Sequence, residues 1–476
     1  MTKNIPEKVL NIYKQLENAG FEVYFVGGCV RNLLMEKNIE DWDLTTNATP
    51  QQIQEVFKDS FYDNNFGTVG VPFENTKNQT DLEKKNYVEI TTYRREIGHK
   101  DKRHPETVVW GKSLEEDLSR RDFTVNAIAL RLASFAQAFG SEAIAQARRG
   151  KLSDFEIIDP FKGQDDLKNK IIRCVGNPDE RFKEDALRLM RAIRLASQLG
   201  FDIEEKTLES ILKDAKLIAH VSSERVRDEL LKILASDYFY EGIKLLDNTG
   251  MLKLIIPELY KGKGVSQERP GRHHKDDVFT HNLLSLRFCT SKDPIIRLAA
   301  LLHDVGKADA KGFDEKGLVT FYNHEILSAR TARDICDRLR LSKKQREKIY
   351  ILIRWHMFTV DEKITDAAVR RFIRRVGAEN VKDMMDLRIG DRLGGGTQTA
   401  ESWRLKLFKK RVEEQLAPGP FSINDLAIDG NDIMKELNIK PGPKIGEILE
   451  KLFQEVDEDL SKNNREYLLK KIKELS

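Results

Sequence analysis

A chain of 476 residues, 40% of them hydrophobic, has material for about three domains, each with a core. Its formal net charge is only +3, so no global field steers it to nucleic acid and any basic surface must be local. Cys29, Cys174, Cys289 and Cys336 form no CxxC, the N-terminus MTKNIPEKVL has no apolar signal core, and no run approaches the ~20 apolar residues of a membrane span. A reducing cytoplasm is expected, with no membrane association.

Residues 1–20 read as an amphipathic helix ending at Gly20, and Phe21–Val26 as a strand. Gly27 and Gly28 follow; without side chains they let backbone N–H groups approach phosphate oxygens. A short helix, Cys29–Met35, carries the fixed charge of Arg31. The next strand holds Asp41-Trp42-Asp43, and residues i and i+2 of a strand face the same way. Two carboxylates so placed repel each other and call for a shared hard cation such as Mg²⁺. Metals held there would activate an attacking hydroxyl and neutralise a leaving pyrophosphate. A lone DxD is more often a surface feature, but glycines, an arginine and a DxD in this order favour chemistry.

Pro50 opens a helix to Lys58, and Phe66–Val71 and Tyr87–Tyr93 read as strands around a polar loop at 74–85. Glu89 is a candidate third metal carboxylate, though such a residue is usually a solvated strand position. RREIGHKDKRHP, 94–105, has no apolar period and reads as a flexible loop. Arg120, Arg121 and Asp122 precede an apolar run; guanidinium forks suit triphosphate oxygens and a carboxylate suits a ribose hydroxyl. Residues 134–154 look like an insertion. From Asp159 onward the pattern is helical, which predicts an α/β head on an all-α body. APGP at 417–420 marks a linker.

In EDALRLMRAIRLA, at about 100° per residue, Asp185 and Arg188 are neighbours on a helix, with Arg191 beside Arg188 and Arg194 about half a turn away from Asp185. Cytosine and adenine present an exocyclic amine where uracil and guanine present a carbonyl oxygen. A fixed Asp accepts from that amine while an Arg donates to the adjacent ring acceptor. An ordinary salt-bridged helix face is the plainer alternative.

GGCVRN…DWD, RRDFTVNA, DPFKGQDDL, RFKEDALRLMRAIRLA and SSERVRDELLKIL resemble, in order, the motifs of class II tRNA nucleotidyltransferases, the CCA-adding enzymes grouped with bacterial poly(A) polymerases. The resemblance implies an α+β chain: a polymerase-beta-like head with a mixed sheet at 1–155, a helical neck at 156–260, an all-α body at 261–410 and a tail touching tRNA at 411–476. It implies that Asp41 and Asp43 hold the catalytic metals, that Gly27, Gly28, Arg31 and Arg121 meet the triphosphate and that Asp122 meets the ribose. Asp185 and Arg188 would read the base, Arg191 and Arg194 would support phosphates and pocket, and Glu224 and Arg225 would brace that helix. The implied reaction is template-independent addition of C, C and A to tRNA from CTP and ATP, with poly(A) synthesis or partial CCA addition as the rival. The 94–105 loop, which serves the switch from C to A by resemblance, and a tail carrying both charge signs favour full CCA addition. The family pattern GGxVRD is broken by Asn32, which keeps an acceptor for Arg31 but loses the charge.

Beyond residue 260, HHKDDVFTHNL, LLHDVGKAD, FYNHE, His356 and GDRLGGG resemble an HD-type phosphohydrolase domain. That resemblance makes His281, His303, Asp304 and Asp391 the core ligands, with His324 and His356 extending the site to a second metal and His273 and His274 as outer contacts. Imidazoles with carboxylates suit Mn²⁺, Ni²⁺, Fe²⁺, Co²⁺ or Mg²⁺. In the tail, the glycines of IKPGPKIGEIL would expose N–H groups to an RNA phosphate; a plain helix start with Pro443 in its first turn fits as well. A phosphohydrolase using its head only to bind RNA is the reading of another class, and the intact Asp41 and Asp43 speak against it.

Overall fold

The first third of the chain builds a mixed seven-stranded sheet in the order β3-β4-β5-β2-β1-β8-β9. The strands are β1 (Val23–Val26), β2 (Asp43–Thr46), β3 (Phe61–Asp63), β4 (Thr68–Pro72), β5 (Tyr87–Thr92), β8 (Ala129–Leu132) and β9 (Phe155–Ile158). This computed structural model describes residues 5–63, 67–72, 87–99, 105–111, 113–132, 155–268, 276–416 and 422–475. The polar stretch 74–85, the 134–154 segment, His273, His274 and APGP lie outside the described residues. The chain divides into two compact units, Met1–Ile255 and Ile256–Ser476.

The run VYFV is apolar throughout because β1 is central and all four residues are buried. The helix Glu7–Asn18 covers one face with Val9, Tyr13 and Leu16, and Tyr13 stacks on Phe25 with ring centroids 5.2 Å apart. Strand alternation then sorts the DxD: Trp42 enters the core at 7% exposure, while Asp41 and Asp43 line the cleft on the other side. Asp41 stands just before β2, and the Glu89 N–H to Trp42 carbonyl bond, 3.1 Å, prolongs the pairing to Trp42. β2 and β5 are parallel, with Asp43 in register with Glu89.

Two expectations are corrected in this unit. The charged stretch from Arg94 is no loop: Arg94–His99 (β6) pairs antiparallel with Pro105–Trp110 (β7). Backbone pairing needs no apolar period in the charged strand when its partner, PETVVW, is rich in β-branched and aromatic residues; residues 100–104 lie outside the described set. Nor is EDALRLMRAIRLA one helix. Pro178–Glu184 ends at Asp185, whose φ of −142° and ψ of 104° are extended, and a new helix runs Leu187–Leu199. The Asp185 carboxylate accepts from the Leu187 N–H at 3.1 Å, the competition with helix that favours Asp at caps. Short strand pairs also occur in the helical region, Ile171–Ile172 with Asp202–Ile203 and Gly312–Phe313 with Val319–Thr320.

In the second unit, two glycines set the approach of the helices Val278–Phe288 and Val381–Gly394. A Cβ at Gly390 would lie 2.5 Å from the Ser285 carbonyl oxygen, and one at Gly394 would lie 2.6 Å from the Ser285 nitrogen. Gly306 lets the segment after His303-Asp304 press on the helix His324–Arg338, and its N–H donates to Ser328 Oγ at 2.9 Å. A separate small core, including Ile433, Leu452, Val456 and Leu468, holds the last helices together. Buried Asp457 accepts from Arg370 at 2.9 Å and Arg374 at 2.8 Å, tying that core to the helix Asp366–Val376. Among the described residues no helix is long and apolar enough to cross a membrane.

Candidate active site and candidate metal centre

A cleft of about 460 Å³ in the first unit brings together Gly28, Arg31, Asp41, Asp43, Arg191 and Arg194, along with Asn32, Asn38, Glu40, Asn126, Leu195 and Gln198. Gly27 has a φ of 75°, and a Cβ there would lie 3.1 Å from Arg121 Nη1 and 3.4 Å from Asp43 Oδ2. The glycine therefore admits a guanidinium beside the catalytic candidate. Arg121 is aimed by Asp117, which is fully buried and accepts from Arg121 at 3.2 Å and from Arg120 at 3.0 and 2.8 Å. Burial works against ionisation of Asp117, but the two guanidiniums override it and hold its carboxyl below the usual range.

Asp122 stands behind the cleft. It accepts from the Phe123 N–H at 2.9 Å, from Asn126 at 3.3 Å and from Arg191 Nε at 2.7 Å. Burial opposes its charge and Arg191 outweighs burial, leaving a pKa of about 2. Arg194 Nε lies 2.6 Å from Glu229, itself 3% exposed. Arg31 donates to two amide oxygens, those of Asn32 at 3.3 and 3.2 Å and Asn126 at 2.5 Å.

Asp185 and Arg188 are joined through the backbone, the Arg188 N–H donating to the Asp185 carbonyl at 3.0 Å, while their side chains take other partners. Both oxygens of Asp185 are taken by Arg225, at 3.2 and 2.7 Å. Arg188 donates to Glu184 at 2.6 Å and to the carbonyls of Arg181 and Arg120, each at 3.2 Å. Neither residue lines the 460 Å³ cleft, but the Arg120 contact joins Arg188 to the segment that carries Arg121 and Asp122. Asp117, Asn126, Glu184 and Glu229 escaped the sequence reading. The i, i+3 and i, i+4 spacing of Asp117 to Arg120 and Arg121, and of Glu184 to Arg188, was a usable signal; for Glu229 and Asn126 there was none.

In the second unit six residues from five segments converge. His281 Nε2 lies 3.2 Å from His303 Nε2, 3.2 Å from Asp304 Oδ2 and 3.3 Å from Asp391 Oδ1. Asp304 Oδ1 is 3.3 Å from His324 Nε2 and 3.6 Å from His356 Nε2. Two overlapping ligand groups result, His281–His303–Asp391 and His303–Asp304–His356. The Nδ1 atoms of His303, His324 and His356 each face the carbonyl three residues back, at 2.9, 2.7 and 2.7 Å. A proton on Nδ1 leaves the Nε2 lone pair facing inward, the tautomer a metal takes. Asp304 Oδ1 and His324 Nε2 are buried and make no hydrogen bond among the described residues, a donor chemistry that fits a divalent ion. Burial disfavours a charged His303, but Asp304 and Asp391 push its pKa up to about 10. An entering metal would displace that proton. Lys307, missed from sequence, reaches Asp304 and donates to Gln267 Oε1 at 2.7 Å.

Comparison with known proteins agrees with this architecture. Residues 23–173 match the family profile "Poly A polymerase head domain", 200–261 match "Probable RNA and SrmB- binding site of polymerase A", and 317–472 match a domain 2 of tRNA nucleotidyltransferases. His281, His303 and Asp304 fall between the second and third of these. The chain is 30% identical over 471 residues to a CCA-adding enzyme of Limosilactobacillus reuteri, covering 98% of this chain and 96% of the relative. It is 34% identical over 328 residues to one from Lactobacillus helveticus, covering 69% and 73%. The crystal structure of Bacillus stearothermophilus CCA-adding enzyme in complex with CTP superposes with a TM-score of 0.66 at 25% identity, over 98% of this chain and 96% of that one.

Proposed function

The chain belongs to the CCA-adding enzymes, whose reaction is completion of the tRNA 3′ end, and we propose that the cleft between Asp41–Asp43 and Arg31, Arg191 and Arg194 is where C, C and A are added from CTP and ATP. The observation that carries this is the meeting of a carboxylate wall and an arginine wall in one cleft. Asp41 and Asp43, with Glu89 in register beside Asp43, are all-oxygen donors suited to Mg²⁺. The metal, when bound, would lower the pKa of the attacking 3′ hydroxyl and offset charge on the leaving pyrophosphate. The protein's own part is placement. Arg31, Arg121 and Arg191 receive the polyphosphate with Gly27 and Gly28 admitting it closely, and Asp122 accepts from the ribose while sharing Arg191. Asp185, pinned by Arg225, and Arg188, pinned by Glu184, offer a fixed acceptor and donor to the base edge. The neck to residue 260 carries this reader, and the tail from 411 contacts the tRNA, with the turn before Pro443 as one phosphate contact.

The test is incorporation by purified protein on tRNA ending in the discriminator base, in C and in CC, with each nucleotide singly. C on the first two substrates and one A on the third is the expected pattern. Repeated A addition would select the poly(A) alternative, and no incorporation would remove the assignment.

A second reading concerns the histidine–aspartate centre. Its paired ligand groups support a two-metal phosphohydrolase site of HD type, taking Mn²⁺, Ni²⁺, Fe²⁺, Co²⁺ or Mg²⁺. Such metals supply an activated water and stabilise phosphoryl oxygens. An RNA ending in a 2′,3′-cyclic phosphate has no free 3′ hydroxyl to act as the nucleophile; water attack on phosphorus with the 3′ oxygen leaving would restore it and leave a 2′-phosphate, whose own hydrolysis would release inorganic phosphate. Hydrolysis of 2′,3′-cyclic or 2′-phosphate substrates by metal-loaded protein is the measurement. Absence of turnover with every one of these metals would leave the centre as a scaffold. Four buried, unpaired cysteines suit a cytoplasmic setting.

A further inference from the structure

Three arginines line the cleft, and their counter-charges differ. Arg191 is met by Asp122, with Nη2 at 2.5 Å, and Arg194 by Glu229 at 2.6 Å. Arg31 is met by amides: Asn32 Oδ1 accepts from its Nε and Nη2, and Asn126 Oδ1 accepts from its Nη1. The orientation of the Asn32 amide is fixed, because its nitrogen donates to the Asn38 carbonyl at 3.0 Å and so turns the oxygen to Arg31. Burial and the nearby Arg194 lower the Arg31 pKa to about 10 against the through-space pull of Asp122, which makes no hydrogen bond to Arg31, and the guanidinium is still charged at neutral pH. An amide positions a guanidinium without cancelling its charge; a carboxylate does both.

We propose that Asn32 sets the electrostatic strength of the polyphosphate pocket: by holding Arg31 with a neutral acceptor it leaves one positive charge for the nucleotide triphosphate and for the pyrophosphate product. The inference rests on the reading of this cleft as the nucleotide site. Asn32 is a positioning residue here, acting through Arg31. Because Arg31 meets phosphates and not the base, the effect falls on CTP and ATP alike, which separates it from the Asp185–Arg188 reader. It also falls on pyrophosphate, which carries no base at all.

The experiment compares Asn32→Asp and Asn32→Ala with the unmodified full-length protein, measuring KM for CTP and ATP and the inhibition constant of pyrophosphate at two salt concentrations. A carboxylate at position 32 is expected to raise all three constants by about tenfold and by a common factor, with the gap to wild type narrowing as salt rises. Alanine, which adds no charge and leaves Asn126 in place, is expected to keep the pyrophosphate constant within about threefold of wild type. Asn32→Asp with a wild-type pyrophosphate constant overturns the inference. So does an alanine variant that loses as much as the aspartate, since the amide would then act by placement alone. A wild-type protein that incorporates nucleotides only insensitively to pyrophosphate, or not at all, would instead count against the cleft as the polyphosphate site.

Discussion

The head cleft and the histidine–aspartate centre both gather charged side chains, but they are held in opposite ways. In the cleft, long arginines are restrained by partners far away in sequence, as Arg191 is by Asp122 and Arg194 by Glu229. In the centre, three imidazoles are aimed by the carbonyl three residues behind them, and His281, His303, Asp304 and His356 are 1% exposed or less. The first is a surface that a substrate completes, with its counter-charges adjustable from a distance. The second is a closed set of donors whose geometry is fixed locally and which a small ion suits. The difference teaches that proximity of charge does not define a site; the way each charge is held indicates what it is held for.

The largest effect that would test this contrast is loss of one carboxylate on either side. Asp41→Ala or Asp43→Ala should reduce nucleotide incorporation by about a thousandfold or more while tRNA binding survives. The hydrolysis proposed for the second site should be unaffected. Wild-type incorporation by either variant would end the metal assignment. Conversely, Asp304→Ala should abolish metal-dependent phosphohydrolysis and metal uptake, and leave CCA addition intact. Loss of CCA addition in a folded Asp304 variant would show that the two sites do not operate independently.

A smaller effect concerns the base reader. Asp185→Ala and Arg188→Ala should cut the preference for C and A over U and G by about 10- to 100-fold, measured with all four triphosphates. Arg225→Ala should do the same more weakly, since it frees the carboxylate without removing it. A uniform rate loss with selectivity unchanged would make the three residues a structural brace.

Much of this arrangement was legible in the sequence where chemistry sits in short segments. Gly28, Arg31 and the DxD lie in one short stretch of chain and share the cleft, and Trp42 in the core explains why its neighbours point out. His303 and Asp304 are adjacent, so a single segment announces the centre. What was not legible depends on distance or on a partner. The Asp122 carboxylate is held by Arg191, 69 residues on; the hold of Arg225 on Asp185, 40 residues on, was reached only through the family resemblance that gave Arg225 a bracing role. The break at Asp185 defeated a wheel drawn through it, because a side-chain cap competes locally with helix in a way periodicity does not record. The strand at Arg94–His99 is made by its partner and not by its own composition.

The smallest effect is a stability effect, and it asks whether an ion pair in the cleft wall is worth more than its role in binding. Asp122 is 8% exposed, and Arg191 holds its pKa at about 2 against the opposing pull of burial. Its folded value is therefore depressed relative to an unfolded carboxyl near 3.8. A depressed acid stabilises the fold above its unfolded pKa, and that contribution is lost as pH falls through the folded pKa. At pH 7 the difference amounts to about 2 kcal/mol. Asp122→Asn keeps the shape and discards the charge, so urea unfolding of the variant should be easier than wild type at pH 7 by roughly that amount. At pH 3 the gap should shrink to about half, because the wild-type carboxylate is then nearer its folded pKa while an unfolded one is mostly protonated. A gap that stays constant between pH 7 and pH 3 would mean that the asparagine disturbs packing around Asn126 and Phe123, and that the Arg191 pair contributes to binding alone.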